Sequence, residues 1–131
     1  MTMGYLMAPV RGEDGDNVTP EVKEANVQAA ITIGWAIRRA FPDINLFVPH
    51  EHERIVDMLW RNGLPSTDIV TATSQIAVES DISFCWDLNG VSSGMYRELV
   101  AVHNARKPVV YFEYVDDEMI AETASILAGK E

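Results

Sequence analysis

The stretch GVSSGMYRELV at residues 90–100 sets Ser92, Ser93 and Gly94 just ahead of Glu98. Small residues at a helix start let a ligand approach unpaired backbone N–H groups, and the helix dipole adds partial positive charge there. The segment therefore suits a phosphate or a sugar hydroxyl. Glu98 falls about one and a half turns further in, beneath such a ligand, where a carboxylate can attack a sugar carbon as a nucleophile. The same residues also suit a serine N-cap followed by an ordinary surface glutamate, and spacing by itself favours that plainer arrangement.

Other positions carry weaker signals. Arg11 and Gly12, directly after the apolar run YLMAPV, can hold a base or a phosphate, or Arg11 can simply pair with Glu13, Asp14 or Asp16. His50 and His52 in PHEHE stand at i, i+2, which is not one helix face; only an extended chain would point them the same way. No further His or Cys cluster completes a metal site, so none is expected, and His103 is expected alone on a helix exterior. Cys85 lies inside an apolar run, where burial makes a thiol inert. Ser92 does not sit on the strand-turn-helix elbow that a hydrolase triad needs. No phosphate-loop or dinucleotide fingerprint is present, and the zinc deaminase signature is excluded because it needs a Cys pair.

Composition narrows the partners. The chain has 131 residues, 47% of them apolar, which suits one domain with one core. Its net charge of -10 repels polyanions, so a nucleic acid polymer is not an expected partner. A single cysteine cannot form an internal disulfide, and a reducing cytoplasmic location is expected. No apolar run reaches the roughly 18 residues of a membrane span, and the N-terminus lacks the pattern of a signal peptide.

The elements that must position these residues alternate. Residues 4–10 read as a buried strand and 11–20 as a polar loop. Thr19 as N-cap and Pro20 at the first position open an amphipathic helix over 20–40, which Pro42 stops. A strand over 44–49 and a helix over 51–63 follow, with Gly63 as its C-cap. Residues 66–80 are ambiguous between a helix and a short strand at their start. Then come a strand over 81–86, a helix over 93–105, a strand over 107–114 and a helix over 116–128. Continuous apolar strands alternating with helices predict a three-layer α/β/α fold, doubly wound in the flavodoxin-like or Rossmann-like manner. Its sheet is expected to be mostly parallel, with four to five strands. In such a fold ligands bind beyond the carboxyl ends of the strands, here the loops at 9–19, 49–53, 87–93 and 114–117.

Together GYLMAPVRG, VPHEHE and SDISFCW…SSGMYREL…RKPVVYF make the chain resemble the nucleoside 2-deoxyribosyltransferase superfamily. Within it, the nearest likeness is to the 2-deoxynucleoside 5-phosphate N-hydrolases. The likeness spans most of the chain as a single domain over 1–131, though its specific content lies in short pieces whose order and spacing carry the weight. It implies that Glu98 attacks the anomeric carbon, displaces the base and leaves a glycosyl-enzyme that water hydrolyses, the retaining two-carboxylate chemistry of glycosidases. Family members acting on free nucleosides carry Asp where this chain has Ser92; those acting on 5-monophosphates carry Ser, since an Asp would repel the phosphate. The likeness thus assigns Ser92, Gly94, Met95, Arg11, Gly12, Met7 and His52 to substrate binding, and Tyr5 to catalysis beside Glu98, with Asp87 the candidate acid. It implies no metal and no organic cofactor. A small-molecule nucleotide is the expected partner, and a homodimer with a subunit-shared site the expected assembly.

The chain also departs from the family. Thr73 stands where an Asp usually protonates the leaving base, and Asp68, Asp81 or Asp87 would have to substitute, Asp87 being best placed at a strand end. Val100 replaces a usual Gly. Thr123 and Ser125 are the candidates for the residue lent to a neighbouring subunit. Two alternatives stay open: transfer of deoxyribose between free nucleosides, and a non-catalytic nucleotide-binding or sensing protein on the same fold.

Overall fold

Four strands, β1 (Thr2–Met7), β2 (Ile44–Phe47), β3 (Ile82–Trp86) and β4 (Val109–Phe112), pair in the order β2-β1-β3-β4, every pair parallel. The computed structural model describes residues 2–9, 19–52, 58, 61–63 and 66–129, the side chains of 66–70 excepted. Helices α1 (Pro20–Ala40), α2 (Ser66–Glu79), α3 (Ser93–Asn104) and α4 (Asp117–Ala128) cover both faces of the sheet. The architecture is the expected three-layer α/β/α, flavodoxin-like in strand order.

Side chains alternate along each strand, so the two faces separate cleanly. Leu6, Ile44, Leu46, Phe84, Val110 and Phe112 meet α1 and α4, through Ala30, Ile37 and Met119. Tyr5, Met7 and Cys85 point the other way and meet α2 and α3, through Ala77, Met95, Leu99 and Val102. The chain leaves β1 toward β2 and returns past β1 to β3, which makes the carboxyl ends of β1 and β3 the switch point where ligands bind in such sheets.

Local chemistry accounts for the boundaries. Thr19, extended at φ -75 and ψ 152, accepts from the Val22 N–H (3.3 Å) and Pro20 opens α1 as expected. Asp116 caps α4 in the same way, accepting from Met119 N–H at 2.9 Å. Three strand expectations shift: β1 begins at Thr2 rather than Gly4 and ends at Met7, β2 stops at Phe47, and β4 is shorter than 107–114. Residues 66–79 form a helix, and among the described residues the sheet has four strands, within the four to five expected. After β2 the chain turns through a 3-10 helix, Pro49–His52. Beyond it Met58 and Arg61 are helical and Gly63 takes φ 90, as a C-cap requires; the rest of the expected helix over 51–63 lies outside the described residues.

The turn after β2 is held firmly. Arg38 on α1 donates from Nη1 to Glu51 Oε2 (2.7 Å) and from Nη2 to Glu51 Oε1 (2.6 Å), and also to the Leu46 carbonyl (2.8 Å). Gly34 lets α1 approach closely, since a Cβ there would stand 2.8 Å from Val48 Cγ2. Among the described residues no helix is long and apolar enough to cross a membrane.

Candidate active site

Helix α3 presents Met95, Glu98, Leu99 and Val102 as its buried stripe, at i, i+3, i+4 and i+7. Glu98 is therefore 7% exposed and packed toward the sheet, not the surface residue of the plainer reading. A carboxyl in such a place needs partners. The Tyr5 phenol, fully buried on β1, donates to Glu98 Oε2. Thr73, half-buried on α2, favours the ionised forms of both Glu98 and Tyr5. Burial pushes the Glu98 carboxyl up to about 7, while the Tyr5 hydrogen bond and Thr73 pull it down. Burial also drives Tyr5 well above the ordinary phenol range, and the adjoining Glu98 charge adds to this. Tyr5 thus keeps its proton and serves as a hydrogen-bond donor to the carboxylate.

Above Glu98 lies the start of α3. Ser92 is the N-cap, with φ -72 and ψ 167, and its Oγ accepts from the Met95 N–H at 3.2 Å. The first backbone bond of the helix runs from the Tyr96 N–H to the Ser92 carbonyl (2.8 Å), so the N–H groups of Ser93 and Gly94 precede the intrahelical ladder. Capping uses the oxygen of Ser92 and leaves its hydroxyl proton to donate. A cap and an anion seat are compatible at this residue.

Asp87 lies at the carboxyl end of β3, its N–H donating to the Phe112 carbonyl at 3.0 Å. Burial pushes the Cys85 thiol up to about 12, and the charges of Asp87 and Glu98 add to this, so both carboxylates stand near one side chain on one face of the sheet. Cys85 itself is a free thiol, buried as expected. Met7 and Met95 are buried in the core beside Tyr5, as floor rather than rim. Arg11 and Gly12 lie outside the described residues, as does the side chain of Asp68.

The histidines separate. A 3-10 turn rotates about 120° per residue, so His50 points inward and His52 outward. His52 is exposed and stacks on Phe47 (centroids 5.0 Å apart, 17° between planes), and Phe47 stacks on Tyr5 (6.0 Å, 13°). The three rings form a ladder from Glu98's donor to the surface. His50, 3% exposed, meets the Pro9 carbonyl through Nε2 at 3.1 Å, and burial lowers it to about 4. Among the described residues no group of three or more His, Cys, Asp or Glu can hold a metal. His103 is exposed, as expected, with Nε2 2.7 Å from the Tyr111 hydroxyl.

Two sequence candidates fall away. Asp81 sits at the amino end of β3, where its carboxylate accepts from the Met3 N–H (2.8 Å), the wrong end of the sheet for the site. Thr123 is fully buried and donates to the Met119 carbonyl (2.8 Å) on α4, so it cannot be lent to a neighbour; Ser125 is exposed. The residue that sequence reasoning undervalued is Thr73. Its position one turn before the fully buried Ala77 on α2 is the signal that puts it on the helix face toward the cluster of Tyr5. Comparison with family models, with curated proteins and with solved structures returned no match for this chain.

Proposed function

We propose that this chain is a nucleotide N-glycosidase, which hydrolyses a (deoxy)nucleoside 5-monophosphate to free base and sugar 5-phosphate. One observation carries the reading. Glu98 is a buried carboxyl, hydrogen-bonded by Tyr5, and it lies beneath a serine-capped helix N-terminus beside the switch point of a parallel sheet.

The chemistry follows two steps. A Glu98 oxygen attacks the anomeric carbon, and the carbon–nitrogen bond breaks with its electron pair leaving on the base, which takes up a proton. Asp87, on the same side of the sheet, is the candidate source of that proton. Water then attacks the anomeric carbon of the glycosyl ester and returns Glu98 as a carboxylate, with net retention. Tyr5 steadies the carboxylate before and after. The Ser92 hydroxyl and the N–H groups of Ser93 and Gly94 meet the 5-phosphate, with Arg11 and Gly12 from the loop after β1. His52, at the outer end of the ring ladder, faces base or sugar. No metal or organic cofactor enters the scheme. We place the protein in the cytoplasm, as a homodimer whose subunits share the site.

The test is a panel of nucleoside monophosphates incubated with the protein, with free base followed by chromatography. Base release that disappears in Glu98→Ala supports the reading. No release from any of them, or undiminished release by Glu98→Ala, sinks it. A second reading, nucleotide binding without turnover, is favoured by Thr73 in place of the acid that would help the base depart; tight binding without base release would select it. Deoxyribose transfer between free nucleosides is tested by adding an acceptor base to the same assay.

A further inference from the structure

In the turn after β2, consecutive side chains leave in different directions. Glu51 is gripped by Arg38 of α1 through two bonds, of 2.6 and 2.7 Å. His52 stacks on Phe47 at the outer end of the ring ladder. His50 turns inward, 3% exposed, and its Nε2 stands 3.1 Å from the Pro9 carbonyl. That contact lies beyond the strand ladder. The register between β1 and β2 ends at Tyr5 and Phe47, and the chain of β1 runs on past Met7 to a buried Pro9. There the imidazole stands in for a strand partner and satisfies the carbonyl.

A carbonyl only accepts, so the His50 proton sits on Nε2. Burial lowers the imidazole to about 4, which leaves it neutral at neutral pH. Nδ1 is then a bare lone pair, and among the described residues it has no hydrogen-bond partner. A leucine would fill similar space without stranding a buried acceptor. The nitrogen that does have a partner is therefore the one this position uses.

We propose that His50 is a positioning residue, whose Nε2–H fastens the exit of β1 at Pro9 to the turn that carries His52 and so sets the seat of the 5-phosphate. This deepens the nucleotide reading and rests on it, because Arg11 and Gly12, assigned there to the phosphate, follow Pro9 by two and three positions. The Arg38–Glu51 pair anchors the same turn to α1, so the fastening runs from α1 through the turn to β1. His50 touches neither sugar nor base. Its effect belongs to binding, equal in ground state and transition state, and not to the chemical step.

The experiment compares His50→Leu, which keeps the bulk, with His50→Gln, whose amide presents an N–H near the place of Nε2. His50→Asn, whose shorter amide reaches only the place of Nδ1, replaces the leucine variant should that not fold. The wild-type tautomer is read first, by nitrogen NMR of the imidazole between about pH 6 and pH 8, and the proton is expected on Nε2 throughout. Binding of 2-deoxyribose 5-phosphate, followed by calorimetry, should weaken about tenfold in His50→Leu, and KM for a monophosphate should rise as much with kcat within about twofold. His50→Gln restores both. In an Arg11→Ala background His50→Leu should add little, since residues acting through one contact are not additive. A proton on Nδ1 overturns the proposal. So does unchanged affinity in folded His50→Leu or His50→Asn, a loss that His50→Gln fails to reverse, a fall in kcat as large as the rise in KM, or full additivity with Arg11→Ala. Wild-type binding of the sugar phosphate without base release from any monophosphate would defeat the glycosidase reading alone, with the role of His50 still read from affinity. No binding by the wild type would defeat both.

Discussion

A carboxyl that is 7% exposed has to find hydrogen bonds or give up its charge. Glu98 does something of both: burial lifts it to about 7, and Tyr5 and Thr73 hold it from rising further. A nucleophile must be ionised, so kcat/KM should fall below about pH 7 as Glu98 takes a proton. Tyr5→Phe removes one donor to the carboxylate. It should move this acid limb upward and cost about tenfold at pH 6, with a smaller loss at pH 9. An unmoved limb in Tyr5→Phe would separate the phenol from the ionisation of Glu98. The same raised value has a consequence for stability. The folded protein holds the Glu98 proton more tightly than the unfolded chain, whose carboxyl titrates at 4.5. Stability is therefore undiminished below pH 4.5 and is lost as pH rises through about 7. Relative to wild type, Glu98→Gln should gain on the order of 3 kcal/mol at pH 8 and little at pH 4. Urea unfolding at the two pH values checks this, and an equal difference at both would contradict it.

At the scale of elements, much of the architecture can be read directly from residue types. Thr19–Pro20 and Pro42 bracket α1 because capping and ring constraints act locally. Ser92 marks the start of α3 for the same reason. Residues 66–80 stay ambiguous in sequence because Ile69, Val70, Thr71 and Thr73 suit either state, and only packing against α3 and the sheet decides. The amino end of β1 is missed because Met3 is exposed, so the apolar run begins after the strand does. The inward turn of His50 depends on 3-10 geometry that PHEH does not announce. The contact between Tyr5 and Glu98 joins residues 93 apart, and no local pattern reaches that far; the family likeness assigns Tyr5 to the site but not its bond to Glu98. Two predictions belong here. Ser92→Asp keeps a capping oxygen while adding charge, so the stability of α3 should hold to within about 0.5 kcal/mol. Its KM for a monophosphate should nonetheless rise at least about tenfold; an unchanged KM would leave Ser92 as a cap and nothing more. Gly34→Ala sets a methyl 2.8 Å from the stiff Val48 side chain. Overpacking of roughly 1–3 kcal/mol should outweigh the helix-propensity gain of about 1 kcal/mol, so thermal unfolding should occur earlier.

Across the whole molecule, the two faces of the sheet divide the labour. α1 and α4 close one side with an apolar core, while α2 and α3 close the other with a layer that includes Tyr5, Thr73 and Glu98. The switch point between β1 and β3 places the helix start at Ser92 and the end of β3 at Asp87 around that layer. The chain carries a charge of -10, and the ligand proposed for its site is an anion. Long-range repulsion should then slow the approach of a nucleotide and be screened by salt. KM for a monophosphate should fall between about 10 and 150 mM salt as the Debye length shortens from roughly 30 to 8 Å. A KM that rises over this range would mean that local cations outweigh the net charge.

The central claim is covalent: a sugar phosphate passes through Glu98. Its most direct test is rapid acid quenching of the protein during turnover of a nucleoside monophosphate, followed by intact-mass and peptide-mass measurement. The account predicts a protein heavier by one sugar phosphate, with the added mass on the peptide bearing Glu98, and neither adduct nor base release from Glu98→Gln. Base release with the adduct on another residue, or continued base release by Glu98→Gln, would contradict it.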